Sequence, residues 1–507
     1  MLLFVAGVAG FATLILEVLG VHWLAPWFGT SALVWANQIG IVLAAMALGG
    51  WAGALQTRRV LDSASSAGHL LSLAGGLILL SVLVLPYLFV WVLPEDLRLD
   101  EAARIFFQGS LTASLLFLAP PVFLLAMISP LLVEARAKER SPGQAAGELA
   151  ACGTLGSLLG VFGGSFFAIP IVGVRETLLF TAILLLLVGS WLTRSRRALP
   201  ISAVALFLFF IPSPSLTAHL PKDAIVLAVE DTLYQRLRVI EFPDGERWLQ
   251  MNEGLDSYQS RSSSGSPWPG GYYDLFALAP LLAETGNKAI QGWILGHGAG
   301  SSMYPLSKAL EGKDWQVTGI EIDPAIEALA ADYFPLPDGI RKHERVLYGL
   351  DARAALRSAP ANLDFILLDV YSNQFEIPTH MASEEFFEEV FNHLREGGVL
   401  AMNLPAHLES IPDFSNEILS TVHRVFQGNT KAHLVPMSRN AVVFARKKTT
   451  LPALGEYLSQ LVGFPSGIGA ALLEGQTLSV LPFNTARYRD NRSPLSLDQN
   501  RFWISQE

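Results

Sequence analysis

Six apolar stretches of roughly membrane-spanning length occupy the first 215 positions of this 507-residue chain. A helix needs about 20 such residues to cross the ~30 Å hydrocarbon core of a bilayer. They run over about 2–25, 32–55, 69–93, 106–133, 147–171 and 176–193, with a shorter run at 198–211 closed by Pro212 and Pro214. At ~1.5 Å per residue the shorter run gives roughly 21 Å of helix and stops partway. Composition agrees: 51% of residues are hydrophobic and 16% charged, with a mean hydropathy of +0.39, against about 25% charged in soluble proteins. No basic segment precedes the first run and five more follow it, so it reads as a span rather than a signal peptide.

Lys and Arg in the short loops set orientation. Arg58 and Arg59, then Arg136, Lys138 and Arg140, then Arg194, Arg196 and Arg197 mark three loops expected in the cytoplasm. The alternate loops hold Arg98 and Arg104 among acids, or Arg175 alone. The N-terminus is therefore expected inside. Six spans put the C-terminal half inside as well, and seven would put it outside. Within the spans, Glu17 in LILEVLG stands out, because an ionisable group in hydrocarbon is costly and faces a partner or cavity. Gly156, Gly160 and Gly164, like Gly49 and Gly53, have the spacing of close helix packing.

The second half is different. Of the net charge of −10, residues 1–215 contribute +1, leaving an acidic remainder. That excludes the basic footprint of a nucleic-acid binder. The single cysteine, Cys152, excludes an intrachain disulfide framework and a cysteine-based zinc site, and no metal is expected. Two alternating runs around Pro243-Asp244-Gly245 predict a hairpin over about 236–252. The polar SRSSSGSPWPGG at 260–271 predicts a flexible loop. From Lys288, short apolar runs alternate with helical ones: AIQGWILG, WQVTGIEID, RVLYGLD, LDFILLDVY, GGVLAMNL, AHLVPM and AVVFARK. This predicts a mostly parallel, doubly wound Rossmann-like sheet, which binds ligands beyond the carboxyl ends of its strands.

Those ends carry the chemistry. Gly296, Gly298 and Gly300 follow the first strand in WILGHGAGSS, where glycine lets the backbone turn and approach a ligand. Glu321 ends the second strand and can accept both hydroxyls of a ribose. Asp351 follows the third and can accept from an adenine amino group, and Asp369 ends the fourth. Together they predict a nucleoside cofactor. A dinucleotide and S-adenosylmethionine, intact or decarboxylated, compete for the assignment. Met303, where a third glycine would stand, favours the second. His297 reads as filler beside the backbone rather than as a base.

Residues 230–404 resemble the spermidine synthase (polyamine aminopropyltransferase) family, through EDTLYQRLRVIE, LQMNEGLDSYQS, YYDLFALAPLL, the glycine loop, EIDP, GLDAR and LLDV. AGFATLILEVLGVHWLAPWFGTSALVW, GELAACGTLGSLLGVFGGSFFAIPIVG and IPTHMASEEFF are similar to its multi-pass bacterial membrane branch. The resemblance implies an S-adenosylmethionine-methyltransferase-type fold with an N-terminal β-hairpin subdomain. It adds Asp323 to the cofactor residues, and implies that Tyr234, Gln235, Gln250, Tyr273 and Asp274 line the clefts for cofactor and amine. The chain also departs from the family. Ala299 stands where an Asp contacts the aminopropyl amine, Tyr272-Tyr273-Asp274 replaces Tyr-His-Glu, and Asp369-Val-Tyr-Ser-Asn replaces Asp-Ser-x-Asp-Pro. The second acid of that motif is thus Ser372, with Glu376 close behind it.

An amine attacking the carbon beside a sulfonium needs its ammonium held by carboxylates and deprotonated. Asp369 is the expected orienting group, with Glu376 and Asp274 as auxiliaries. The expected organisation is a transmembrane domain at 1–215, a hairpin subdomain and loop at 216–287, and a catalytic domain at 288–507. The expected enzyme transfers an aminopropyl group from decarboxylated S-adenosylmethionine to a polyamine or other amine. It sits in a bacterial inner membrane with its catalytic domain on the cytoplasmic face, and a homodimer is compatible with it. An S-adenosylmethionine-dependent methyltransferase, or a transporter or sensor binding polyamine or nucleoside, are the alternatives.

Overall fold

A computed structural model of the chain describes residues 1–60, 62–92, 99–195, 199–210, 220–252, 257–263, 265–285, 289–372, 376–406, 411–436, 438–465 and 488–504. Arg98, Arg196, Arg197, Pro212, Pro214 and Lys288 lie outside them, as does the side chain of Arg104. The chain divides into two compact units. One comprises Met1–Pro221 with Val229–Leu237 and Asn252–Asp256, and the other comprises the remainder.

The first unit is helical: α1 (Leu2–Phe28), α2 (Ala32–Gln56), α3 (Ser63–Val92), α4 (Leu99–Ala113), α5 (Ala119–Arg136), α6 (Pro142–Gly163), α7 (Val174–Thr193) and α8 (Leu199–Phe209). A π-helical turn at Ser114–Leu118 joins α4 to α5, and another at Gly164–Val172 extends α6. Among the described residues, six helical segments are long and apolar enough to cross a membrane, and the 198–211 run forms a shorter helix. The ends follow local rules. Ser31 and Ser141 cap α2 and α6 through their hydroxyls, and Pro142 fits the first turn, where its missing N–H has no partner to lose. The spaced glycines do what their spacing predicts. A Cβ on Gly156 would collide with the Gly7 carbonyl, and one on Gly53 with Met127, so backbone meets backbone where α1 packs on α6 and α2 on α5.

Beyond Pro221 the chain is built on sheets. Strands β1 (Ile225–Asp231), β2 (Arg236–Glu241), β3 (Arg247–Met251) and β4 (Ser260–Ser262) form a four-stranded sheet in that order. The predicted hairpin is β2–β3. The start of the predicted 260–271 loop is instead strand: β4 pairs antiparallel with β3, Leu249 opposite Ser260.

The seven apolar runs are the seven strands of the second sheet: β5 (Ile290–Leu295), β6 (Trp315–Glu321), β7 (Glu344–Tyr348), β8 (Leu363–Leu368), β9 (Leu394–Pro405), β10 (Thr430–Leu434) and β11 (Asn440–Arg446). Their order is β10-β11-β9-β8-β5-β6-β7. Strands β5 to β9 pair in parallel, while β11 runs antiparallel to both β9 and β10. This is a Rossmann-like sheet of the methyltransferase type. Period-two alternation gives it two cores. Ile290, Ile294, Phe365, Leu367, Val399 and Ala401 face one, and Trp293, Leu295, Ile366, Leu368, Leu400 and Met402 face the other. Successive strands run outward in opposite directions from β5 and β8, so the crevice of a doubly wound sheet opens beyond Leu295 and Leu368.

Candidate active site at the carboxyl ends of the parallel strands

The glycine loop begins at that crevice. Gly296 has φ +86°, and a Cβ there would fall on the Asp369 carbonyl oxygen; Gly298 has φ +56°, with Ser260 Oγ in the place of its missing side chain. Only glycine lets the loop pass this close to β8 and β4. The loop is then fixed by hydrogen bonds. The amides of Gly296 and His297 donate to the Ile320 carbonyl at 3.1 and 3.0 Å. Gly298 N–H donates to Glu321 Oε2 at 2.9 Å, and Ala299 N–H to Ser260 Oγ at 2.8 Å. Gly300 completes the loop at φ +87°.

Glu321, at the end of β6, is nearly buried, and its other oxygen accepts the Asp323 N–H at 3.0 Å. Burial raises its pKa against the pull of those two amides and of His297. Asp323 is fully buried and accepts the Ala325 N–H at 3.1 Å, so it holds the turn after β6. Asp351 caps the helix Ala352–Leu356 through Ala354 N–H (2.9 Å), and its second oxygen meets His380 Nε2 at 3.0 Å. Burial opposes ionisation there but is outweighed by the Ala354 amide and His380, so its pKa is lowered.

Asp369 follows β8, its N–H bonded to the Leu295 carbonyl at 2.8 Å. Its Oδ1 accepts from Asn403 Nδ2 at 2.9 Å, and the Tyr272 side chain is near enough to favour the carboxylate as well. Burial pushes its pKa up to about 6 despite these neighbours, with the Glu321 charge adding to the rise. Asn403 is itself held: Asn440 Nδ2 donates to its Oδ1 at 2.9 Å, and Ser438 Oγ donates to Asn440 Oδ1 at 2.6 Å. The relay Ser438–Asn440–Asn403–Asp369 is not visible in the sequence, since it depends on β9 lying between β8 and β11.

Tyr272, Tyr273 and Asp274 form the first turn of the helix Tyr272–Phe276. Both tyrosines are buried and have pKa values raised first by that burial and then by Asp369. The Tyr273 hydroxyl donates to the Gln259 carbonyl at 2.8 Å. Asp274 is fully buried; its Oδ1 accepts Gly270 N–H at 2.9 Å, while Oδ2 has no partner among the described residues. Burial lifts its pKa to about 6, and the Gly270 amide and Arg261 charge only partly offset it.

Gln250 is fully buried, its Oε1 accepting from Arg238 Nε at 3.0 Å and its Nε2 donating to the Ser257 carbonyl at 3.0 Å. Tyr234 is exposed and Gln235 buried, both in the turn from β1 to β2, where Thr232 Oγ1 receives each backbone N–H at 3.1 Å. Glu376 is nearly buried, and its carbonyl receives the N–H and hydroxyl of Ser372 at 2.9 and 3.0 Å. His297 packs over Gly319, where a Cβ would strike its ring, and its Nε2 meets Glu344 at 2.9 Å.

No family model matches the chain. A probable polyamine aminopropyl transferase of Bifidobacterium longum is 32% identical over 218 residues, 43% of this chain and 46% of that protein. An eEF1A lysine and N-terminal methyltransferase homologue of Drosophila melanogaster is 28% identical over 138 residues, 26% of this chain and 20% of that one. The chain thus spans under half the length of these relatives. Among solved structures, a spermidine synthase in complex with the transition-state analogue AdoDATO is 17% identical, with a TM-score of 0.39 over 48% of this chain and 84% of that one. A probable spermidine synthase from Corynebacterium glutamicum is 18% identical, with a TM-score of 0.38 over 51% and 98%. Over that shared stretch the chain is similar to the Bifidobacterium polyamine aminopropyl transferase.

Proposed function

We propose that the chain is a membrane-anchored aminopropyltransferase-like enzyme. Its substrates are decarboxylated S-adenosylmethionine and an amine. The observation that carries this reading is Asp369, half-buried at the end of β8 beside the glycine loop and held by Asn403, with a second carboxylate, Asp274, fully buried on the helix that Tyr272 opens. Asp274 Oδ2 is a buried acceptor with no donor of its own, which suits an ammonium. Glu321 takes the ribose hydroxyls, Asp351 the adenine amino group, and Asp323 keeps the turn between them. Tyr273 and Gln250 shape the amine cleft, with Tyr234 and Gln235 as further contributors, and Glu376 supports Asp369.

In the reaction the amine nitrogen attacks the aminopropyl carbon bonded to sulfur. The C–N bond forms as the C–S bond breaks, the electron pair leaves with methylthioadenosine, and the amine proton passes to Asp369. Asn403 and Tyr272 hold that carboxylate in place. On this reading the α/β unit faces the cytoplasm from a bacterial inner membrane, which the basic residues of the short loops and an even number of spans support.

A second reading is favoured by one observation. Ala299 offers a methyl where the family carries an acid, and methyltransferases also lie among the relatives. An S-adenosylmethionine-dependent methyltransferase would release adenosylhomocysteine. Incubating the purified protein with each cofactor and a panel of amines decides the matter. Methylthioadenosine with an aminopropylated amine is the expected product, adenosylhomocysteine would replace the first reading by the second, and neither product would overturn both.

A further inference from the structure

We propose that the helical unit holds a second binding site, for a primary ammonium, where α1, α2 and the π-helical turn at Ser114–Leu118 meet. It uses none of the residues assigned to aminopropyl transfer. Three acceptors define it. Glu17 on α1 is half-buried, and among the described residues its carboxylate has no hydrogen-bond or ion-pair partner. Gln38 on α2 is fully buried, its Nε2 donating to the Glu17 carbonyl while its Oε1 has no partner. Ser114, which opens the π-helical turn, is also fully buried, with no partner for its hydroxyl.

Gly20 shows that these elements converge. It lies one turn after Glu17, and a Cβ there would touch both Gln38 Nε2 and Leu118 Cδ1 at 2.8 Å. Leu118 closes the turn that Ser114 opens. Beside them, Asn37 Nδ2 donates to the Phe107 carbonyl at 3.0 Å and to Ser110 Oγ at 3.1 Å, which ties α2 to α4.

A carboxylate inside a membrane-spanning helix is retained where it meets a partner or a cavity, and buried polar atoms without partners are rare in native proteins. Here the acid lies one turn from Gly20, where α1 meets Gln38 and Leu118, and the two orphaned oxygens lie on the elements packed there, at a π-helical turn of the kind that recurs at functional sites. An ammonium brings three donors and one positive charge, and no acceptor. That matches three acceptors and one negative charge. A hard metal ion such as calcium wants six or more oxygens, and a water satisfies the amide and hydroxyl but leaves the charge.

The test is equilibrium binding of radiolabelled putrescine to the full chain in phospholipid nanodiscs. The expected result is saturable binding that persists in Asp274→Asn, which removes the soluble unit's buried carboxylate. Glu17→Gln should weaken it by about 10- to 100-fold, as loss of a charged hydrogen bond does, and methylamine should compete. Unchanged affinity in a normally folded Glu17→Gln protein overturns the site, as does the absence of saturable binding in Asp274→Asn. Displacement by sodium but not by methylamine overturns the ammonium assignment. If thermal denaturation shows Glu17→Gln to be unfolded, Ser114→Ala decides, with unchanged affinity again overturning the site.

Discussion

Asp274 offers a quantitative check on the site, because its burial has a thermodynamic signature that ligand-free protein already displays. Its carboxyl is raised from 3.8 to about 6, chiefly by burial. A carboxyl with a raised folded pKa stabilises the fold below the unfolded pKa, and that stability is lost as pH climbs through the folded one. The full loss is about 2 pKa units, or about 3 kcal/mol at ~1.36 kcal/mol per unit. Integrated between about pH 4.5 and about pH 7.5, the change is about 2 kcal/mol. Asp274→Asn keeps an oxygen for Gly270 N–H but cannot titrate. Its own offset is the same at every pH, so it cancels when the two proteins are compared across pH. Thermal unfolding of both, in one detergent at half-unit pH steps, should show wild type falling relative to the variant between about pH 4.5 and 7.5, and parallel above that. Parallel curves throughout would refute an uncompensated buried charge at Asp274. A bound diamine should raise wild type more than the variant at neutral pH, since any stabilisation from the helical unit's site is common to both.

Four further outcomes follow from the geometry. Glu321→Gln should weaken nucleoside binding by about 1.5–3 kcal/mol in calorimetry, as loss of a charged acceptor does, and unchanged affinity would dissociate Glu321 from the ribose. Asp369→Asn should leave cofactor affinity nearly intact while turnover falls by about 10²–10⁴-fold, and a wild-type rate in a folded variant would transfer the role to Glu376. Asn403→Leu should lower turnover and shift the acid limb of the pH–rate profile upward, since the Asn403 bond favours the Asp369 carboxylate. Gly156→Leu should lower the thermal stability of the detergent-solubilised protein, because α6 must retreat from the Gly7 carbonyl; an unchanged transition would refute the backbone contact.

The fold was legible where burial follows a simple period. All seven apolar runs after residue 288 became strands of one sheet, because the central ones are buried on both faces and read as near-continuous hydrophobic segments, while β7 at one edge is only partly buried. What stayed hidden depends on pairing rather than composition. Strand β4 is Ser-Arg-Ser, with no apolar alternation; its conformation comes from β3 and from the Ala299 and Ser301 contacts at its edge. Asn403 sits in the run GGVLAMNL, and only the register of β9 against β11, with Asn403 opposite Val442, brings Asn440 within reach. Strand ends, by contrast, are marked by single residues. Gly296, Glu321 and Asp369 were named because a doubly wound sheet presents such ends to its crevice. The sequence has no comparable marker for the unsatisfied oxygen of Asp274, which is a property of what surrounds it.

The charge of the site bears on which cofactor form it accepts. A free alkylammonium has a pKa near that of lysine, about 10.4, whereas Asp369 titrates at about 6. Full transfer of the proton before attack would cost about 6 kcal/mol at ~1.36 kcal/mol per unit. An ammonium has no lone pair, so this proton must leave before the C–N bond forms; its cost is part of the barrier, and Asp369 contributes by accepting the proton and by orienting the neutral amine for attack. Its carboxylate must be ionised when the amine binds, so the rate should rise through about pH 6 on the acid side. On the proposed reading, the same negative charge would discriminate between cofactors. Asp369 and Glu321 are close enough that one raises the pKa of the other, and Asp274 adds a third acid. Arg261, whose charge reaches Asp274, is already engaged by both oxygens of Glu246 at 2.8 and 2.7 Å. A carboxylate brought in by intact S-adenosylmethionine would meet these acids without a free cation from Arg261, whereas the aminopropyl ammonium of the decarboxylated form would be attracted. The loss of the family acid at Ala299 removes one such contact, and Asp274 and Asp369 retain the sign of the field.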